Sequence, residues 1–392
     1  MRTLRSLLIA AMVVAACAGP ATTPPANPVS TPAASPSASP ASSPGAATSS
    51  PATETPPISS SPSSTAQAAS GLVLLTHDSF ALTDTVLQGF ERDHNATLKV
   101  LKAGDAGAMV NQAILSKGHP LGDVLYGIDN TFLSRALSAG IFDPYQSPSL
   151  ASVPSAFQLD PQGRVTPVDY GDVCLNIDKS AFAAGSPPAP TVLADLTGAP
   201  YRGMLVVENP ATSSTGLAFM LATVARFGES GSYTWLDYWK DLRANDMKVD
   251  ASWNDAYEAD FSAGAGKGDR PIVVSYASSP PAEVYYAPTP PADAPTAAIL
   301  DGCFRQVEFV GVLAGTAQPE LARAFVDFML SPAVQRDIPL QMFVFPVVQG
   351  TALPDVFTKY AKVPPKPLTI DPATITANRD RWIQEWTATV LR

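Results

Sequence analysis

Histidine and cysteine are scarce in this chain, with three of each in 392 residues. His77, His94 and His119 stand at no metal-ligand spacing, and none accompanies a cysteine. No G-x-S-x-G elbow, phosphate-binding glycine loop or dinucleotide glycine pattern occurs. No metal centre and no cofactor is therefore expected. Enzymatic work would need a nucleophile with its base, and the carboxylates are scattered rather than paired. His77-Asp78-Ser79 spells the letters of a triad, but adjacent strand residues point to opposite faces. Basic clusters are missing too, and the formal net charge is −10, so nucleic acid is not an expected partner. No segment after the first residues approaches the ~20 apolar residues of a membrane span.

What is present begins with a leader. "MRTLRSLLIAAMVVAAC" has two arginines, an apolar run and small residues before Cys17, the pattern of a secretory signal peptide. Val14-Ala15-Ala16-Cys17 also has the form of a lipobox, which makes Cys17 the expected lipidation site and residues 1–17 a lipoprotein signal. The competing reading is a plain signal peptide with a coincidental cysteine. Residues 18–70 are mostly Pro, Ser, Ala and Thr and have too few large apolar groups to offset the entropy of ordering. A disordered tether is expected there. With Cys17 lipidated, Cys174 and Cys303 remain. A disulfide between them and two separate buried thiols are both open, since sequence does not give their Cα separation.

From residue 71 onward, strand-like runs alternate with amphipathic helices, which predicts α/β architecture. "GLVLLTHDSF", "ATLKVLKAG", "GDVLYGIDN" and "MLVVENP" read as strands, and "VTPVDYGDVCLNIDKSAF" as a longer one containing a glycine. "QPELARAFVDFMLSPAVQRDIP" reads as a helix and "DPATITANRDRWIQEWTATVLR" as the terminal one. Ligands of such sheets bind beyond the carboxyl ends of the strands, where Asp78, Ser79, Asp129 and Asn130 stand. "NPATSSTGLAFML" places Thr212, Ser213, Ser214, Thr215 and Gly216 before an apolar helix, as an N-cap or as a cradle for an anion. Trp253 lies in a polar setting, Tyr276 between an apolar strand and a turn, and Phe343 and Phe345 flank Val344 in "MFVFPVV". Each alone reads as packing; together with an acidic residue they suit a flat aromatic cation.

The succession "THDSF", "GDVLYGIDN", "VDYGDVCLNIDK", "NPATSSTGLAF", "SWNDAY", "VVSYASSP", "FVFPV" and "RDRWIQEW" resembles the thiamine-binding proteins of bacterial ABC importers, over nearly all of residues 72–392. Asp78 and Ser79 match that family's first motif, Asn209 through Gly216 its phosphate loop, and Trp253 with Tyr257 its Trp-Ser-Glu-Ala-Tyr segment. Ser275, Tyr276, Ser279 and Pro280 match its Ser-Tyr-x-x-Ser-Pro, and Phe343 stands where it has tryptophan. Ala211 and Thr215 replace the arginine and proline of its loop. The resemblance implies a type II periplasmic-binding-protein fold of two lobes, each a mostly parallel sheet flanked by helices. Lobe 1 would comprise residues 71–170 and 304–392, and lobe 2 residues 171–303. It further implies a monomer, lipid-anchored outside the cytoplasm and touching the membrane only through that anchor. Such a protein takes thiamine, or its mono- or diphosphate, to a permease and its ATPase without performing a reaction. The implied ligand set is Asp78, Ser79, Asp129, Thr212, Ser213, Ser214, Gly216, Trp253, Tyr257, Tyr276 and Phe343. The alternative within the fold is a ferric-iron or oxyanion binder, for which Tyr285-Tyr286 would be the iron-binding pair, although packing of a helix accounts for it better. A secreted hydrolase using a serine of the 212–215 run is the reading from another class.

Overall fold

The computed structural model describes residues 70–183, 187–265 and 267–392. The leader, Cys17 and the Pro-rich stretch as far as residue 69 lie outside the described residues. The first elements are β1 (Ser70–Thr76), α1 (Asp84–His94), β2 (Ala96–Lys102), α2 (Ala106–Leu115) and β3 (Val124–Asp129). β1 pairs in parallel with both β2 and β3, the product of two strand–helix–strand steps. α1 buries Phe90 and ends at Asn95, whose left-handed φ of 47° turns the chain into β2. Asp105 caps α2 through its side chain.

Next come α3 (Leu133–Ala139), β4 (Phe142–Asp143) and β5 (Thr166–Asp178). β6 (Leu205–Glu208), α4 (Ser214–Phe227), α5 (Trp235–Ala244), β7 (Lys248–Asp250) and β8 (Ile272–Tyr276) build a second parallel group, in which β6 pairs with β7 and β8. The remainder is α6 (Pro280–Tyr285), β9 (Thr296–Leu313), α7 (Pro319–Met329), α8 (Pro332–Gln341), β10 (Phe345–Pro346), α9 (Asp355–Tyr360) and α10 (Pro372–Val390). Across the sheet the order is β2-β1-β3-β9-β5-β8-β6-β7, with β10 on β5 and β4 on β9.

The sheet is less parallel than expected. β5 and β9 run antiparallel to each other and to their neighbours, so two parallel groups hang from one long antiparallel ladder. Both strands are long enough, at 13 and 18 residues, to serve both groups. Their register breaks between Val173, opposite Phe304, and Leu175, opposite Ile299. Residues 300–303 form the excursion, and a disulfide joins Cys303 to Cys174 there.

The helix expected over 318–339 is two helices. Ser331 caps α8 by accepting the Val334 N–H, and Pro332 opens it, a start signal that interrupts the apolar periodicity. Apolar packing falls into two large clusters. One gathers α4, α5 and α10, where Trp239 and Trp386 meet edge to face at 5.4 Å. The other packs Phe90, Phe325 and Val326 against Leu72 and Leu74 of β1. These cores fix the strands whose carboxyl ends carry the site.

Candidate ligand-binding site

The carboxyl ends of β1, β7 and β8 and the start of α4 open onto one cavity of about 750 Å³, the place where open α/β sheets hold ligands. Trp253 forms part of its wall and is held at three points. Its ring stacks on Tyr257 with centroids 4.8 Å apart and 14° between planes. Its indole N–H donates to Ser275 Oγ at 2.9 Å, itself 2.8 Å from Ser279 Oγ. Its main-chain N–H donates to Asp105 Oδ2 at 2.9 Å. A π-helical turn, Asn254–Asp260, then carries Tyr257 inward, and the Tyr257 hydroxyl donates to Glu283 Oε1 at 3.0 Å. Such turns are uncommon and concentrate at functional sites.

Two glycines make room for cavity rings. Gly171, the glycine inside β5, faces Tyr276, and a Cβ there would lie 2.6 Å from the Tyr276 ring. Gly127, at φ +95° in the bulge of β3, lies where any side chain would overlap the His77 imidazole. The Tyr276 hydroxyl donates to Gln306 Oε1 at 2.5 Å, fixing the ring. Phe343 adds a further aromatic face from a left-handed backbone, φ 54°, with Tyr286 at 5.6 Å and Tyr285 at 6.1 Å. That conformation is costly for a bulky residue, and strain of this kind concentrates at binding sites.

Carboxylates supply the polarity. Glu308 lines the cavity on the β9 side, and the Tyr126 hydroxyl lies between it, at 3.1 Å, and Asp169, at 2.5 Å. Burial, then Asp169 and Asp129, push Glu308 well above the ordinary carboxylate range. Burial, then the Lys102 charge, bring His77 down to about 4. His77 Nδ1 lies 3.1 Å from Ser79 Oγ, and its Nε2 lies 3.8 Å from Glu308 Oε1. Ser79, His77 and Glu308 are the residue types of a hydrolytic triad, but that last distance leaves imidazole and acid without a hydrogen bond. Asp105, Glu258 and Glu283 also line the cavity, and burial is the first cause raising each of them.

Six of the residues expected from sequence line this cavity: Ser79, Ser214, Trp253, Tyr257, Tyr276 and Phe343. The other five build its frame. Asp78 is turned away, its carboxylate accepting the Gly104 N–H at 3.0 Å and its carbonyl accepting Lys102 Nζ at 2.7 Å. Asp129 is fully buried and accepts the Thr131 N–H at 2.6 Å. Thr212 Oγ1 donates to the Ala251 carbonyl at 2.6 Å. Ser213 Oγ caps α4 by accepting the Gly216 N–H at 3.5 Å, and Gly216 lies flat against the Glu208 backbone, where a Cβ has no room. The carboxyl groups that face the cavity are those of Asp105, Glu258, Glu283 and Glu308, and not that of Asp78.

Sequence reasoning missed those four, and it named Tyr286, which also lines the cavity, only as half of an iron-binding pair. Asp105 had a readable signal, since it follows β2 at a strand's carboxyl end as Asp78 follows β1. Glu308, a charge inside the apolar run "QVEFVGVL", was readable as well. Glu283 and Tyr286 lie on and just after α6, and only its tilt toward the cavity brings them in. Tyr285 and Tyr286 do not pack as core residues, being 46% and 64% exposed.

A family model described as bacterial extracellular solute-binding protein matches residues 119–366. The chain belongs to this family. The solute-binding protein is 31% identical over 327 residues to the thiamine-binding periplasmic protein of Escherichia coli K12, covering 82% of this chain and 94% of that one. It is 28% identical to the thiamine-binding periplasmic protein of Brucella suis, covering 83% and 94%. In structure it is similar to a periplasmic thiamin binding protein, with a TM-score of 0.71 at 28% identity over 82% of this chain and 96% of that one. The architecture of this solute-binding protein is the type II periplasmic-binding-protein fold.

Proposed function

We propose that this protein is the extracytoplasmic solute-binding subunit of an ABC importer, capturing thiamine and delivering it to a permease without chemical change. The observation that carries the reading is the union of stacking faces and carboxylates in one cavity: Trp253, Tyr276 and Phe343 with Asp105, Glu283 and Glu308. A thiazolium is a permanent cation joined to an aromatic pyrimidine. Aromatic faces and carboxylates attract such a charge more strongly in a partly desolvated cavity than in water. The thiamine-binding relatives, matched over more than nine-tenths of their length, support the same ligand.

The two lobes are taken as residues 71–170 with 304–392, and residues 171–303. β5 and β9 cross between them, and closing on the ligand would present one surface to the permease. Residues 18–69 would act as a tether, the lipid on Cys17 as the membrane anchor, and the protein as a monomer. Cys17→Ser should release the protein from the membrane fraction into the medium. Retention of the variant on membranes would remove the anchor from the reading.

Titration calorimetry with thiamine and with ferric citrate tests the ligand. Saturable binding of thiamine at one site per chain is expected, and no binding of ferric citrate. Absence of heat and of any fluorescence change with thiamine would overturn the assignment.

A further inference from the structure

We propose that Glu308 becomes the counterion of the bound cation only at capture: in the empty cavity one tyrosine hydroxyl serves two buried acids and Glu308 keeps its proton, which thiamine then expels to solvent. The proposal rests on the thiamine reading above and adds a proton to its equilibrium. The Tyr126 hydroxyl lies 2.5 Å from Asp169 Oδ2 and 3.1 Å from Glu308 Oε2. It carries one proton and faces two acids, both buried. Among the described residues neither acid has a lysine or arginine partner, and His77 Nε2 stands 3.8 Å from Glu308 Oε1. Asp169 Oδ1 and His77 Nε2 have no hydrogen-bond partner. Two carboxyl groups confined in this way do not both ionise, so one proton stays on the pair. The shorter contact makes Asp169 the acceptor of the Tyr126 proton and leaves the other proton to Glu308, the member that lines the cavity.

The groups around Glu308 keep the proton there until a cation arrives. Facing it are Asp169 on β5, Tyr126 and Asp129 on β3, His77 after β1 and Tyr276 on β8. Burial, then Asp169 and Asp129, hold Glu308 in its neutral form. His77, brought down to about 4 by burial and then by the Lys102 charge, stays neutral too. Asp105, Glu258, Glu283 and the exposed Lys267 face the cavity from its other walls. A thiazolium in the cavity stabilises a carboxylate at Glu308 and opposes a second positive charge on His77. The proton therefore leaves through the cavity mouth and does not settle on the imidazole. The step balances as Glu308 acid plus thiamine cation giving a carboxylate–cation pair plus one proton in the buffer. Neither state then leaves an unpaired charge on this buried wall, which would be costly.

Titration calorimetry on the intact protein at pH 6.5, in MES and in ACES, counts the protons, because the two buffers differ in heat of ionisation. The binding heats should differ by the amount for at least about half a proton released per thiamine, and affinity should rise at least about fivefold from pH 6.5 to pH 8. An uncharged analogue with thiophene in place of the thiazolium should bind with equal heats in both buffers. Glu308→Gln copies the protonated acid and should bind thiamine with no proton release and no rise in affinity with pH. Asp169→Asn, behind the cavity wall, removes a group that holds the proton on Glu308 and should lower the number released at pH 6.5. A purely structural role for either acid would leave the proton count unchanged. Equal thiamine heats in both buffers with a flat affinity profile overturn the proposal while leaving the thiamine reading intact. Undiminished proton release by Glu308→Gln does the same. Failure of the unaltered protein to bind thiamine at either pH would sink the functional reading and the proposal with it.

Discussion

Trp253 differs from the other four tryptophans in its surroundings. Trp235, Trp239, Trp382 and Trp386 are buried in the α4–α5–α10 core, whereas Trp253 is half-buried on the cavity wall. A ligand-dependent change in tryptophan emission should therefore originate in Trp253 alone. Trp253→Phe should abolish the change while keeping a stacking face. Trp253→Ala should weaken thiamine at least tenfold, the ~1.4 kcal/mol expected for one aromatic face against a partly desolvated cation. A persisting emission change in Trp253→Phe would place the ligand elsewhere. Phe343 allows a cleaner separation of binding from folding. Phe343→Gly relieves a backbone at φ 54° while removing an aromatic face. Its melting temperature should stay within a few degrees of the parent while thiamine affinity falls about tenfold. Equal losses of both would mark Phe343 as packing.

At the scale of elements, Gly216 has a packing role that its sequence setting does not show. In sequence it is a donor in an anion cradle, and in the fold it is the point at which α4 touches the end of β6. Gly216→Ala forces a methyl group into the Glu208 backbone and should cost about 1–3 kcal/mol of stability, measured by denaturant unfolding. A change in affinity without a change in stability would restore the cradle reading. The Cys174–Cys303 bond joins β5 to β9 at their register break and closes a span of 129 residues. Replacing both cysteines by serine should cost about 2–4 kcal/mol, seen as a lower unfolding midpoint than that of the oxidised parent. The strands and helices were legible because each buries a face at its own period. The β5–β9 ladder and the α7–α8 break were less so. Antiparallel pairing depends on where the chain returns, and a Ser-Pro start inside a continuous apolar stripe is outvoted by the stripe. The aromatic lining of the cavity was legible in part from the polar setting of Trp253 and the turn after Tyr276. Of its acidic half, Asp105 at a strand end and Glu308 inside an apolar run carried a signal, whereas Glu283 sits on a short helix that only the tertiary fold brings to the cavity.

For the whole molecule, the concentration of buried acid predicts how stability follows pH. Burial raises Asp129 to about 6, and raises Asp169 and Glu308 in the same direction, all behind or beside the cavity. A carboxyl group raised in the fold keeps a proton that the unfolded chain gives up above about 4. The unfolded state then binds fewer protons, so stability falls as pH rises from about 4 through 6, and the loss is complete above the folded pKa. His77 acts in the opposite sense. Lowered to about 4, it refuses a proton that the unfolded chain takes up below about 6.5, and so costs stability as pH falls across the same window. Three carboxyl groups outweigh one imidazole, and the net slope is downward with pH. Without ligand, the melting temperature should be at least about 3 °C higher at pH 5 than at pH 7.5. Asp129→Asn, which keeps an acceptor for the Thr131 N–H, should flatten that slope. A bound thiazolium adds a positive charge beside Glu308 and favours its ionised form, so saturating thiamine should shrink the difference between the two pH values. Scanning calorimetry at both, with and without thiamine, measures all of these terms. A melting temperature that rises from pH 5 to pH 7.5 in the ligand-free protein would mean that the buried acids titrate near their ordinary values.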